Sequence, residues 1–375
     1  MNNKFLLLAT AIVAKSNREH PADAVLRTEL KNAKGLSRAD SKSISDAVFA
    51  YYRWLGWLDR KTSIEQQLER AVELDKAFQE NPQSISESEL PRAVPEWVAG
   101  HVKITPEWLR SLQMKPKLWL RARVGQGRGL AQKLGECWLA DGALADAVRY
   151  EGPEDLFRTA EFHAGEFELQ DISSQIVGLI CNPQPGETWW DACAGEGGKA
   201  LHLCDLMRNK GLLWASDRAE WRLKKLKLRA ARAKLFNYRA ALWDGGAKLP
   251  TKTKFDGVLV DAPCSGLGTW QRNPQARWTT TPDDVEELNV LQKSLLTNVA
   301  TALKPGGRLI YSVCTLTEAE TIGVTEAITQ KFPDLKPLMF SNPGDPDAQP
   351  AAHLNLRPQD VQGNGMFICG WKKTG

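Results

Sequence analysis

Apolar positions run through the chain in two rhythms. Over the first 80 residues they recur three or four apart, at residues 6–13, 24–30 and 47–58, the spacing of amphipathic helices. Ser37 and Ser63 stand where helix N-caps belong, and Thr105-Pro106-Glu107 reads as another helix start. Residues 82–95 are rich in Ser, Glu and Pro and read as a linker, and residues 97–114 return to short helical segments. From about residue 186 the rhythm changes. Short β-rich runs at 188–192, 212–216, 238–242, 257–260 and 308–313 alternate with helical stretches at 199–208, 220–236, 284–303 and 318–330. Strand–helix alternation predicts an α/β fold, a doubly wound, mostly parallel sheet with helices on both faces. Two further runs, 335–340 and 366–371, suit an edge pair closing that sheet.

At 375 residues the chain exceeds what one core usually holds, so two or more domains are expected. The pattern breaks give residues 1–82 as a helical domain, 83–165 as a linker and small basic α/β connecting segment, and 166–375 as the α/β domain. A net charge of +4 is too mild to announce a nucleic-acid binder by itself. Fourteen Trp is high, so many must be buried or form stacking surfaces. Seven Cys without paired spacing argue for free thiols and a reducing compartment, here the cytoplasm, and no His/Cys cluster has metal-site spacing. The apolar run after Lys4 continues into Lys15 at helical spacing, which favours a helix over a secretory signal. No apolar run reaches the about 18 residues of a membrane span.

Charge is uneven. Residues 103–133 hold eight basic residues and one acid, Glu107, with Trp108 and Trp119 among them. Basic residues interleaved with aromatics suit a nucleic-acid surface, and equally a solvated face over two core tryptophans. The helix at 220–236 holds Arg222, Lys224, Lys225, Lys227, Arg229, Arg232 and Lys234 against Glu220. It reads either as part of an RNA-binding face or as the solvated side of a sheet-covering helix with Leu223, Leu226 and Ala230 turned inward.

The strand ends carry the candidate chemistry, because open α/β sheets bind ligands just past the carboxyl ends of their strands. DACAGEGGK, residues 191–199, ends a strand and opens a helix, and Gly195, Gly197 and Gly198 let backbone pass close to a ligand. Asp217 ends the next strand, where an acid takes ribose hydroxyls, and Asp244 follows the third, where it would meet an adenine amino group. An adenosine-containing cofactor fits this set; a dinucleotide would use the same glycines and acid. The run FDGVLVDAPCSGLGTW, residues 255–270, places Asp261 and Cys264 after the fourth strand, and Cys314 follows the fifth. Two thiols at neighbouring strand ends, one beside an acid, point to thiolate chemistry on a pyrimidine: addition at carbon 6 makes carbon 5 nucleophilic. A carboxylate facing the ring would stabilise the charged species.

Several motifs, in order, carry a family resemblance: QDISSQ (170–175), DACAGEGGK, Asp217, FDGVLVDAPCSGLG, QRNPQARW (271–278), Leu291-Gln292, KPGGRLIYSVCTL (304–316) and RPQDVQGNGMFICGWKK (357–373). From about Gln170 to its end the chain resembles the RNA cytosine-5 methyltransferases of the RsmB/NOP/Sun (NSUN) family, and the helical N-terminus looks like the NusB-like RNA-binding domain of some bacterial members. The resemblance implies a Rossmann-like, seven-stranded catalytic domain, S-adenosylmethionine as cofactor, RNA as partner (16S ribosomal RNA first, transfer RNA as the alternative) and no metal or membrane. A monomer is expected. It implies Cys314 as nucleophile and Cys264 as the residue that releases methylated RNA, with Asp261 and Lys199 completing the catalytic set. Cys193, Ala194, Gly195, Glu196, Gly197, Gly198 and Lys199 would hold the methionine end of the cofactor, Asp217 its ribose and Asp244 its adenine, with Arg222 also in the cofactor set, and Asp261 would lie between cofactor and base. Departures are Gly195-Glu196 for the usual Ala-Pro, Ala200 for Thr, Val313 and Thr315 around the nucleophile, Gln271 for Arg and Asn364 for Asp. Glu196 is expected to face solvent. Two rivals stand beside this reading: a nicotinamide oxidoreductase, and a non-catalytic RNA-binding ribosome-assembly factor.

Overall fold

The computed structural model describes residues 3–375, which divide into two compact units. The first comprises residues 3–116 together with Gly266–Pro282; the second comprises Lys117–Ser265 and Asp283–Gly375.

The first unit is helical. Helices Asn3–Lys15, Ala22–Asn32, Arg38–Trp54 and Ile64–Glu80 bury Leu6, Ile12, Leu26, Ile44, Val48 and Leu68 in one core. Ser37 and Ser63 are N-caps, each in a complete capping box, and Thr105 caps Pro106–Gln113 with Pro106 in the first turn. The stretch that composition reads as a linker is packed instead. Its short 3₁₀ turn Leu90–Ala93 buries Leu90 and Ala93 completely, and the next turn, Glu96–Gly100, buries Val98. Arg277, fully buried, ties Gly266–Pro282 into this unit: its guanidinium donates to the carbonyls of Arg53, Ala93, Leu112 and Trp270.

The second unit holds two sheets. The smaller is antiparallel, ordered β2-β3-β1-β4, from β1 (Leu118–Ala122), β2 (Cys137–Leu139), β3 (Ala147–Tyr150) and β4 (Phe167–Leu169). Four of the eight basic residues at 103–133 are paired in this unit. Arg121 and Arg123 pair with Asp205, Lys117 with Glu151 and Lys133 with Glu166, while Lys115 pairs with Asp46 in the helical unit. Trp108 and Trp119 are buried, so both tryptophans lie in cores.

The larger sheet is built from β5 (Thr188–Asp191), β6 (Leu212–Asp217), β7 (Tyr238–Leu242), β8 (Phe255–Asp261), β9 (Leu303–Val313), β10 (Leu335–Pro337), β11 (His353–Leu356) and β12 (Met366–Lys373). Its order is β7-β6-β5-β8-β9-β12-β10, parallel through β9, with β12 antiparallel. β10 and β11 share the outer side of β12, so eight strands occupy seven positions. The strand at 353–356 has no pattern of its own and is found only by its pairing. The Lys304-Pro305-Gly306-Gly307 turn signal falls inside β9: Leu303 pairs Phe255, Arg308 pairs Gly257, and the extra residues form an irregularity with Gly306 at φ +76°. Trp189 and Trp190 of β5 are fully buried, one on each face of the sheet.

Candidate active site

The chain leaves β5 toward β6 on one side and takes up β8 on the other, so the strand order reverses between β5 and β8. A crevice opens at such a switch point, past the carboxyl ends of the strands. The loop after β5 leads into helix Gly198–Leu206 and turns back through two left-handed residues, Gly195 at φ +55° and Gly197 at φ +92°. A Cβ at Gly197 would stand 2.7 Å from the Leu226 side chain, whereas one at Gly195 or Gly198 would meet open space or only Gln170 at 3.9 Å. The loop is thus pinned on one side and open on the other.

Asp217, buried at the end of β6, fixes the loop. Its carboxylate accepts from the backbone N–H of Gly195 at 3.0 Å and of Ala219 at 2.8 Å, with Arg222 3.8 Å away. Glu196 does not stand alone in solvent. It pairs with Lys225 at 2.7 Å, while its carbonyl accepts from Arg229. Arg229 and Arg232 also hold the buried Glu168, so part of the basic helix Glu220–Arg232 is structural; Leu223, Leu226 and Ala230 are its buried residues, as the pattern predicts. Asp244 is exposed and accepts from the Gly246 N–H at 2.8 Å.

On the other side of the crevice β8 and β9 run parallel with Asp261 opposite Ser312. Asp261 accepts from Lys199 Nζ and from Ser312 Oγ, each at 2.7 Å, and Lys199 also donates to Ser174 Oγ at 3.2 Å. Beyond Asp261 and Ser312 the chain places Cys264 and Cys314 with their sulfur atoms 3.3 Å apart. Ser174 and Ser312 lie within stretches the motifs cover, but nothing in their spacing marks them as partners of the charged pair.

The electrostatics separate the thiols. Burial pushes Cys137, Cys181, Cys193, Cys204 and Cys369 above the ordinary thiol value. Cys314 goes the other way. The hydrogen bond with Cys264 is the largest cause, and Lys199 adds to it against burial and the charge of Asp261. Burial works to lower the Lys199 ammonium, yet the charge and hydrogen bond of Asp261 outweigh it and raise it. Asp191 is buried beneath the glycine loop. Burial first, then the charge of Asp261, pushes it up to about 8.

The site therefore combines an activated thiol, a second thiol touching it, a lysine-bound carboxylate and a glycine loop fastened to a buried acid. The open space at Gly195 and the lone pairs that Asp217 keeps beyond the two N–H groups it accepts from are compatible with an adenosyl group. Among the described residues no cluster of His, Cys, Asp and Glu has a geometry for a metal, and no helix is long and apolar enough to cross a membrane.

A family model described as 16S rRNA methyltransferase RsmB/F matches residues 178–372, just over half the chain. The probable ribosomal RNA small subunit methyltransferase B of a Synechocystis species is 37% identical over 257 residues, 65% of this chain and 57% of that protein. The protein of the same name from Bacillus subtilis is 36% identical over 57% of this chain and 49% of its own length. The chain thus spans about half the length of these relatives. Among solved structures, PH0851 superposes with a TM-score of 0.80 at 21% identity, covering 100% of this chain and 99% of its own. NSun6 from Pyrococcus horikoshii, solved with SFG, superposes with a TM-score of 0.62 at 18% identity over 72% of this chain and 94% of its own. These two likenesses bear out the Rossmann-like α/β fold. The chain belongs to the 16S rRNA methyltransferase RsmB/F family.

Proposed function

We propose that the chain methylates carbon 5 of a cytosine in RNA, 16S ribosomal RNA first, through a covalent bond between Cys314 and carbon 6 of the base. The observation that carries this reading is the thiol pair: Cys314 and Cys264 lie 3.3 Å apart, next to the Asp261–Lys199 pair and opposite the glycine loop. Family membership supports RNA methylation, and the names of the relatives support the ribosomal small subunit as target.

Cys193 to Lys199 would hold the methionine end of S-adenosylmethionine, Asp217, with Arg222 3.8 Å from it, its ribose, and Asp244 its adenine. When bound there, S-adenosylmethionine supplies an electrophilic methyl group. The protein's own groups do the rest. Cys314, drawn toward the thiolate by Cys264 and Lys199, adds to carbon 6 and pushes an electron pair onto carbon 5. Asp261, held by Lys199 and Ser312, faces the ring and steadies the charge that addition creates. Once carbon 5 is methylated, its proton must leave so that the electron pair can re-form the ring double bond and expel the Cys314 sulfur. A base must take this proton, and Cys264, adjacent to Cys314, would assist the release, serving as that base only in its thiolate form, after its own proton has left. The helices of residues 1–82 and the flanking basic residues would serve RNA binding.

Incubation with 16S ribosomal RNA and S-adenosylmethionine, followed by digestion to nucleosides and mass spectrometry, tests this. The expected product is 5-methylcytidine, absent with Cys314→Ala. A product methylated on the ribose or an amino group, or an active Cys314→Ala protein, would overturn it.

A further inference from the structure

Glu320 lies outside the catalytic set, yet its side chain is completely buried between the two cysteine loops. One carboxylate oxygen accepts from the backbone N–H of Ser265 and from Gln292 Nε2, each at 2.9 Å. The other accepts from the Ser265 hydroxyl and from Thr317 Oγ1 at 2.8 Å, with Thr315 Oγ1 at 3.3 Å. Among the described residues no Lys or Arg pairs with it, so hydrogen-bond donors alone answer its charge, the condition under which a buried carboxylate is tolerated.

The bonds land at telling places. Ser265 directly follows Cys264, and Thr315 directly follows Cys314. Ser265 gives its hydroxyl proton to Glu320, and its oxygen stands 2.8 Å from Thr315 Oγ1, whose single proton is shared between Ser265 and Glu320. Gln292 closes the loop on the other side by donating to the Pro263 carbonyl as well, at 2.8 Å. The turn that carries Glu320 is itself fixed, because the Tyr311 hydroxyl donates to the Glu320 carbonyl and Asn289 to that of Ala319. A single carboxylate therefore sets the spacing of two loops whose reactive atoms touch.

We propose that Glu320 is a positioning residue that, through Ser265 and Thr315, holds the Cys264 and Cys314 sulfurs in register; its consequence for methyl transfer rests on the function proposed above. Loss of the carboxylate lets the loops part and uncouples attack from release, while the glycine loop across the crevice keeps its fastening to Asp217.

The register is read without any RNA. Diamide takes two hydrogens and two electrons from a thiol pair, becoming the hydrazine and leaving a disulfide, and peptide mapping follows the Cys264–Cys314 bond over time. Glu320→Gln and Ser265→Ala should each slow closure by about tenfold, and lower single-turnover methyl transfer about as much, since a full 1 Å displacement costs roughly a hundredfold and a smaller one correspondingly less. The dissociation constant for S-adenosylmethionine, by calorimetry, should stay within about twofold, which a general loosening of the fold would not allow. Should Glu320→Gln fail to fold, Ser265→Ala decides the matter, because it keeps the carboxylate. Closure at the wild-type rate in a variant that binds S-adenosylmethionine normally would overturn the proposal. Slowed closure in a protein that methylates no cytosine would uphold the positioning role and sink only the function above.

Discussion

Cys314 is the thiol whose surroundings favour its charged form, and the cause is specific. The hydrogen bond with Cys264 outranks both Lys199 and the opposing burial. Cys264→Ala should therefore raise the midpoint at which Cys314 becomes reactive to iodoacetamide as pH is increased; an unmoved midpoint would mean that Lys199 dominates. Asp191 makes a separate prediction. Its folded value, pushed up to about 8, lies above its unfolded value of 3.8, so the native state binds the proton more tightly. That contribution to stability is complete below about pH 4 and is lost as pH rises toward 8. Urea unfolding at pH 6 and pH 8.5 should show the wild type losing more stability than Asp191→Asn over that interval. Equal losses would place the titration elsewhere.

At the scale of elements, local signals were enough where structure is local. Ser37, Ser63 and Thr105 announce their helices because a cap is a bond between residues three apart. Ser63→Ala should cost about 1 kcal/mol in thermal or urea unfolding, with activity retained. The β5–β9 strands showed themselves through buried apolar runs between turn residues. What failed to show depends on distant partners. The β1–β4 sheet is short, with only three residues each in β2 and β4, and is interleaved with arginines whose carboxylates lie far along the chain, as Arg121 with Asp205. β11 exists because β12 offers it an edge. The candidate site divides the same way. Both cysteines, Asp261, Lys199 and the glycines sit in motifs, whereas Glu320 could not be told from Glu318 two residues earlier, since only the fold turns one of them inward. Gly197 gives the loop's own test. Gly197→Ala would force a side chain into a left-handed residue 2.7 Å from Leu226, so S-adenosylmethionine binding should fall sharply in calorimetry; unchanged affinity would detach the loop from the cofactor.

At the scale of the whole molecule, the helical unit is assembled by contacts that composition does not reveal. Residues 82–95 look like a linker yet bury Leu90 and Ala93, and the segment Gly266–Pro282 belongs with the helices. Arg277 is the residue on which that attachment turns, because four backbone carbonyls accept from its guanidinium in a buried setting. Arg277→Met would leave those carbonyls without their donors and should lower the melting temperature by several degrees, a few kcal/mol being the cost of such orphaned groups. At this scale the proposed chemistry is a covalent bond between protein and RNA, formed by one thiol and released by the other. The most direct measurement is denaturing electrophoresis of the Cys264→Ala protein after incubation with 16S ribosomal RNA and S-adenosylmethionine, beside the Cys264→Ala/Cys314→Ala double variant. The account predicts a denaturation-resistant RNA–protein band in the single variant and none in the double variant; a band that persists without Cys314 would contradict it.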